Sequence, residues 1–266
     1  MKTLAVIGVG VMGETLIAGL LRAGWDPSRI VASDRHAPRL AEMARTHGIR
    51  TGDTAEAVGQ ADTVVVVVKP QDADEVLPQV AAALQPGALV VSLCAGLSTS
   101  RIEAAMPAGV PVVRVMPNTP AQVDEGMAAI SAGATAGADD LEHVTELLSA
   151  VGKVVTVPEK YQDAVTAISG SGPAYLFFVV EAMIDAGVML GLPRDIATTL
   201  VVQTMYGSAK LLADSGLHPT VLRERVTSPG GTTAAALREL EDHRVKAAFM
   251  TAMEAARNRS RDLAKA

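Results

Sequence analysis

The chain has 266 residues, 49% of them hydrophobic and 20% charged, with a formal net charge of −6 at pH 7. That apolar content supports a sizeable core and excludes disorder, and the negative balance leaves no footprint for nucleic acid or an anionic membrane. The single cysteine, Cys94, excludes an intrachain disulfide and fits a reducing compartment. Gly8, Gly10, Gly13 and Glu14 break the N-terminal apolar run too early for a signal peptide, and no apolar run approaches the length of a membrane span. A soluble cytoplasmic protein is the expectation.

Leu4, Ala5, Val6 and Ile7 form a continuous apolar run, the pattern of a strand buried on both faces. The run enters Gly8-Val9-Gly10-Val11-Met12-Gly13, the spacing of a dinucleotide-binding turn. Gly8 allows the tight turn, Gly10 lets backbone approach a pyrophosphate, and Gly13 lets helix pack close to strand. A helix starting near Gly10 aims its unpaired N–H groups at the phosphates and continues over 14–23. A second strand over 29–32 ends at Ser33-Asp34-Arg35, where such a fold meets the adenosine ribose. Asp34 suits both ribose hydroxyls of NAD. Ser33 and Arg35 suit a 2′-phosphate instead, with an ordinary surface charge as the alternative for Arg35.

A helix over 38–46 stops at Gly48, and 54–58 makes a helical turn. The five valines at 64–68 read as a buried strand. It ends in Lys69-Pro70-Gln71, which puts Lys69 on the ligand-binding edge of an open α/β sheet or makes it a plain strand stop. Residues 72–84 read as a helix that Pro78 breaks or starts. A strand over 88–93 ends in Cys94-Ala95-Gly96, and Cys94 reads as a small core residue with no partner motif for hydrolysis. Ser100 and Glu103 have capping-box spacing for a helix to Ala105. A strand over 111–115 leads into an extended loop fixed by Pro117 and Pro120. Strands over 127–131 and 153–157 flank a helix over 139–151, with Asp139 and Glu142 as its cap pair. This alternation predicts a parallel, doubly wound sheet up to residue 158.

Beyond 158 the pattern is all-α. A helix over 161–168 is interrupted at Ser169-Gly170-Ser171-Gly172-Pro173, and helices follow over 174–190, 193–214, 219–226, 232–241 and 245–263. Residues 175–188 are apolar on nearly all faces and need a cover; a symmetric dimer is the simplest source. The five histidines are scattered without ligand spacing, so no metal site is expected. Ser228-Pro229-Gly230-Gly231-Thr232-Thr233 is a second glycine loop feeding a helix start. It suits a small carboxylate, against the plain alternative of helix capping by Thr232.

Three stretches, VKPQ at 68–71, ISGSGPAY at 168–175 and TSPGGTT at 227–233, together resemble the pyrroline-5-carboxylate reductases, and the match runs from the first strand to the last helix. The resemblance implies NAD(P)H-dependent reduction of the C=N bond of L-1-pyrroline-5-carboxylate to L-proline, the final step of proline biosynthesis. The implied fold is α/β: an N-terminal Rossmann-type doubly wound sheet over 1–158, then an all-α dimerisation and substrate-binding domain over 159–266. The implied assembly is a dimer, often a decamer of five dimers, whose substrate pocket the partner subunit completes. Cofactor contacts are implied at Ile7, Gly8, Val9, Gly10, Val11 and Met12 along the pyrophosphate, and at Ser33 and Arg35 with the 2′-phosphate. Val67, Val68, Lys69, Pro70, Cys94, Ala95 and Gly96 would border the nicotinamide half. Thr54 stands where family members often carry Asn near the adenosine. The substrate carboxylate would lie on the backbone of Gly230, Gly231 and Thr232, and the Thr233 hydroxyl would face the ring nitrogen, which makes Thr233 the catalytic candidate.

The family tendency and the Ser33/Arg35 pair favour NADPH, with NADH as the alternative. No His, Asp or Glu in the matching stretches is placed as a dedicated acid, so catalysis is expected mainly from positioning. The rival readings are another cyclic-imine or ketoacid reductase of this architecture and a non-catalytic NADPH-binding regulator. A hydroxyacid dehydrogenase would offer a Lys on the helix over 174–190, which has none.

Overall fold

The computed structural model describes residues 2–263. It divides into two compact units, one holding the described residues up to Ser171 and from Ala256 onward, the other Gly172–Ala255. The first unit contains β1 (Leu4–Ile7), α1 (Val11–Arg22), β2 (Ile30–Ser33), α2 (Ala37–His47), β3 (Arg50–Thr51), α3 (Thr54–Val58), β4 (Thr63–Val66), α4 (Ala73–Ala83), β5 (Leu89–Ser92), α5 (Thr99–Ala105), β6 (Val112–Met116), β7 (Gly126–Ala132), α6 (Ala138–Ser149), β8 (Gly152–Thr156) and α7 (Gln162–Val165). The strands form one eight-stranded sheet in the order β3-β2-β1-β4-β5-β6-β7-β8, so the expected doubly wound sheet is present.

The alternation within each strand explains the layers. Leu4 and Val6 of β1 join Leu16, Ile17 and Leu20 of α1 and Val144, Leu147 and Leu148 of α6 in one core. Ala5 and Ile7 join Ala57 and Val58 of α3, Leu77 and Val80 of α4 and Ile102 of α5 in the other. Successive side chains point to opposite faces, and both faces are covered, which is why the strands read as unbroken apolar runs rather than alternating ones. Chain order reverses between β1 and β4, which pair in parallel. Ligands in open α/β sheets bind at such a switch point, outside the carboxyl ends of the strands.

The structure revises several local expectations. The sheet is not wholly parallel: β7 pairs antiparallel with β6, because the connection over 117–125 is too short for a crossover. Strand β3, two exposed residues, had no sequence signature. Pro78 lies inside α4 without breaking it; it and Asp74, whose carbonyl loses its helical partner, are both exposed, so the lost bond falls on the solvent side of the helix. Helix α5 is capped by Ser98, whose side chain accepts from the Arg101 amide, not by Ser100; Glu103 instead accepts from the Ala134 amide. Helix α6 starts after Gly137, with Asp140 accepting from the Gly137 amide at 2.8 Å, so Asp139 and Glu142 are not its cap pair.

The stretch over 169–173 does break the α-helix, at a bend on Ser171 that follows a π turn. Residues Thr166–Gly170 form one π-helical turn, closed by the Ser171 amide on the Thr166 carbonyl at 2.8 Å. Asn118 holds that turn, donating to the Ser169 carbonyl at 3.1 Å while accepting from the Met127 amide at 2.8 Å. Across that turn and bend Glu159–Met189 forms one helical run of 31 residues, long and apolar enough to cross a membrane by length and composition. That corrects the expectation that no run approaches that length.

The second unit is all-α: α8 (Gly172–Met189), α9 (Arg194–Ser215), α10 (Pro219–Arg225), α11 (Thr232–Asp242) and the first part of α12 (Val245–Leu263). Helices α8 and α9 approach closely at Gly187, where an added Cβ would sit 2.9 Å from the Ala197 Cβ. No residue of α8 is buried, and Phe177 and Phe178 remain 68% and 72% exposed. The end of α12 belongs to the first unit, where the buried Ser260 donates to Asp163 at 2.7 Å.

Candidate functional site

The glycine turn sits at the carboxyl end of β1. Gly8 has φ +99°, and a Cβ there would lie 2.5 Å from the Val67 carbonyl oxygen, so only glycine fits. A Cβ on Gly13 would press into the Gly8 carbonyl; the absence of that atom lets α1 sit against the turn. Gly10 is different. It caps α1 with ordinary extended backbone, φ −64° and ψ −168°, and a Cβ there would meet nothing within 4 Å. The helix has no side-chain cap. Among the described residues the amides of Gly10, Val11 and Met12 have no acceptor, the first bond of the helix being Glu14 N–H to the Gly10 carbonyl. Unpaired donors, a helix dipole and bare space at one point make an anion cradle, so the turn fits a dinucleotide pyrophosphate.

Neighbouring side chains hold the turn rigid. The Asp34 carboxylate accepts from the Val9 amide and the His36 amide, both at 2.9 Å. Arg39 donates to the Val9 carbonyl at 3.0 Å and pairs with Glu14 and Glu42. Partial burial alone would push the Glu14 carboxyl up, but hydrogen bonds and charge from Arg39 and His47 hold it below its ordinary value.

A cleft of about 460 Å³ opens in front of this turn. It gathers Ile7, Gly8, Gly10, Ser33, Arg35, Thr54, Val67, Val68 and Lys69 from the expected set. The Ser33 and Thr54 hydroxyls lie 3.3 Å apart, and Arg35 reaches Asp72 at 3.1 Å. Val9, Val11, Met12, Pro70, Cys94, Ala95 and Gly96 do not line it. Val9 is fully buried. Cys94 is buried with its thiol toward the Val66 carbonyl, and burial pushes that thiol up, as suits a core residue rather than a nucleophile.

Asp34, the alternative ribose contact, also lines the cleft, as do Asp53, Asp72, Glu75, Val76 and Gln79, none of which was among the expected contacts. Asp53 carried a legible signal: Asp53 and Glu56 form a full capping box on α3, which sets Thr54 at the helix start. The Asp72 contact had none, because it joins residues far apart in sequence.

The second loop is in the helical unit and is built alike. Gly230 has φ +68°, and the Gly231 amide closes on the Ser228 carbonyl at 3.0 Å. Gly231, not Thr232, is the N-cap of α11, and no side chain caps the helix, so the plain alternative of capping by Thr232 is overturned. Among the described residues the amides of Thr232, Thr233 and Ala234 find no acceptor, since the first bond is Ala235 N–H to the Gly231 carbonyl. Thr233 is half-buried in the first turn. No group of three or more metal-ligating side chains occurs among the described residues.

Known proteins match this arrangement over the whole chain. The family model described as pyrroline-5-carboxylate reductase dimerisation matches residues 159–263, and that described as NADP oxidoreductase, coenzyme F420-dependent, matches residues 3–96. The pyrroline-5-carboxylate reductase of Corynebacterium melassecola is 45% identical over all of both chains. The solved structure of a pyrroline-5-carboxylate reductase from Coxiella burnetii superposes with a TM-score of 0.93 at 35% identity, covering 98% of each chain. The Plasmodium falciparum pyrroline carboxylate reductase, solved with NADP bound, gives 0.89 at 31% identity, covering 99% of this chain and 98% of that one. The chain belongs to the pyrroline-5-carboxylate reductase family.

Proposed function

We propose that this protein reduces L-1-pyrroline-5-carboxylate to L-proline with NADPH, NADH serving as the weaker alternative, as the final step of proline biosynthesis. The observation that carries the cofactor half is the bare helix start at Gly10, with unpaired amides and open space. Full-length similarity to reductases of this name supports the reaction.

The α1 amides take the pyrophosphate, and Ser33, Thr54 and Arg35 take the adenosine end. A nicotinamide held there would supply the hydride for the imine carbon. The backbone of Gly230, Gly231 and Thr232 holds the substrate carboxylate. The Thr233 hydroxyl hydrogen-bonds the ring nitrogen and relays a proton to it from water, so the C=N bond becomes a secondary amine. Positioning supplies most of the acceleration.

We assign cofactor binding to residues 1–158 and dimerisation with substrate binding to 159–266. The exposed Phe177 and Phe178 of α8 support a homodimer that covers this helix; five such dimers in a decamer and a cytoplasmic location complete the reading. An apolar helix buried between subunits needs no membrane. The test is NADPH oxidation by the purified chain with pyrroline-5-carboxylate, beside a panel of other cyclic imines and ketoacids. Selective turnover of pyrroline-5-carboxylate supports the reading; faster turnover of another imine or ketoacid, or none of any, refutes it.

A further inference from the structure

Arg35, which lines the cleft, is already paired with a carboxylate of the same cleft. Both Asp34 oxygens are engaged in holding the turn, by the Val9 and His36 amides at 2.9 Å. The Asp53 carboxylate caps α3 through the Glu56 amide at 2.8 Å. Of the two cleft carboxylates that remain, Glu75 and Asp72, the one paired with Arg35 is Asp72, at the end of the short 3-10 turn Pro70–Asp72 after β4. Its carboxylate reaches Arg35 at 3.1 Å, with the Asp72 side chain only 25% exposed and that of Arg35 75% exposed. Arg35 and Asp72 both line the cleft.

We propose that Asp72 is a specificity-determining residue that competes with the 2′-phosphate of a phosphorylated dinucleotide for Arg35, and so narrows the preference for NADPH over NADH. The inference rests on reading this cleft as the dinucleotide site. A 2′-phosphate brings nearly two negative charges to a guanidinium already paired with a carboxylate. An unphosphorylated ribose brings none, so the same carboxylate leaves NADH almost untouched. With solvent dielectric, separations of a few ångströms and partial salt screening, the opposition amounts to roughly three- to tenfold in affinity.

The test is titration calorimetry of the full chain with NADPH and NADH at fixed ionic strength, for the native protein, Asp72→Asn and Asp72→Glu. Asp72→Asn removes the charge and keeps the shape; it is expected to tighten NADPH by about three- to tenfold while NADH moves less than about twofold. Asp72→Glu, which keeps the charge, is expected to hold the native ratio. An unchanged ratio in Asp72→Asn, an equal shift for both nucleotides, or weakened NADPH binding would overturn the proposal. A native chain that binds neither nucleotide overturns it together with the cleft assignment. Turnover is not read, so failure of the reaction assignment would appear separately, as nucleotide binding without reduction of pyrroline-5-carboxylate.

Discussion

Replacing Gly10 by valine separates binding from folding more cleanly than any other change in the turn. The backbone there, φ −64° and ψ −168°, suits any residue, and a Cβ added there meets nothing within 4 Å. Losing glycine from the N-cap for an apolar residue costs about 0.5–1 kcal/mol. Restricting the unfolded chain returns about 0.4–1 kcal/mol. The two nearly cancel, so the melting temperature is expected to move by less than about 2 °C. The new side chain fills the space in front of the Gly10, Val11 and Met12 amides, which have no acceptor of their own among the described residues. Losing two charge-assisted hydrogen bonds at about 1.5–3 kcal/mol each weakens NADPH binding by at least about 100-fold. Calorimetric titration and a thermal melt on the same sample check both halves. NADPH affinity within about threefold of the native value would remove the pyrophosphate from this turn, and a melting point lowered by more than about 4 °C would refute the open space at Gly10.

Gly13→Ala should behave in the opposite way, losing at least about 2 kcal/mol of stability because its Cβ presses into the Gly8 carbonyl; a denaturant titration that leaves the midpoint unchanged would contradict that packing. Thr233→Ala should lower kcat/KM for pyrroline-5-carboxylate by about 10- to 100-fold with little change in NADPH affinity, and unchanged turnover would remove Thr233 from the mechanism. His143, half-buried with its ring 2.9 Å from the Thr63 hydroxyl, is held below its ordinary value of 6.5 by burial, with Lys2 adding to the effect. Below pH of about 6.5 the unfolded chain therefore binds more protons at this position than the folded one, so this contribution to stability is complete above that pH and is lost as pH falls toward the folded value. His143→Gln should flatten the stability slope between about pH 7 and 5.5, and parallel slopes in the two proteins would refute the assignment.

What was legible in the sequence was local or periodic. The valines of β4 and the β1–turn–α1 unit announce themselves because burial on both faces demands apolar runs and close backbone approach demands glycine. What was not legible depends on partners far along the chain. Ser169-Gly170-Ser171-Gly172 reads as a helix breaker but not as a π turn: Asn118 anchors the Ser169 carbonyl, and Gly170 leaves room for the Met116 side chain, so Thr166–Gly170 wind into that turn before the bend at Ser171. Ser98 and Ser100 are both good caps by type; the helix starts at Thr99, whose amide is fixed 2.7 Å from Glu159. In the cleft, Asp34 read as a ribose ligand by position, and its geometry shows a carboxylate pinning the Val9 amide. The Arg35–Asp72 pair could come only from the way β2 and β4 flank β1. The reaction itself was legible only through resemblance, because a glycine turn names a cofactor class and not a substrate.

The most direct test of the central claim is stoichiometric. The purified chain, given pyrroline-5-carboxylate and NADPH, should form one proline for each NADPH consumed, and omitting either reactant should abolish proline formation. NADPH binding without proline formation, or NADPH consumed without proline appearing, would contradict the assignment of this chain as a pyrroline-5-carboxylate reductase.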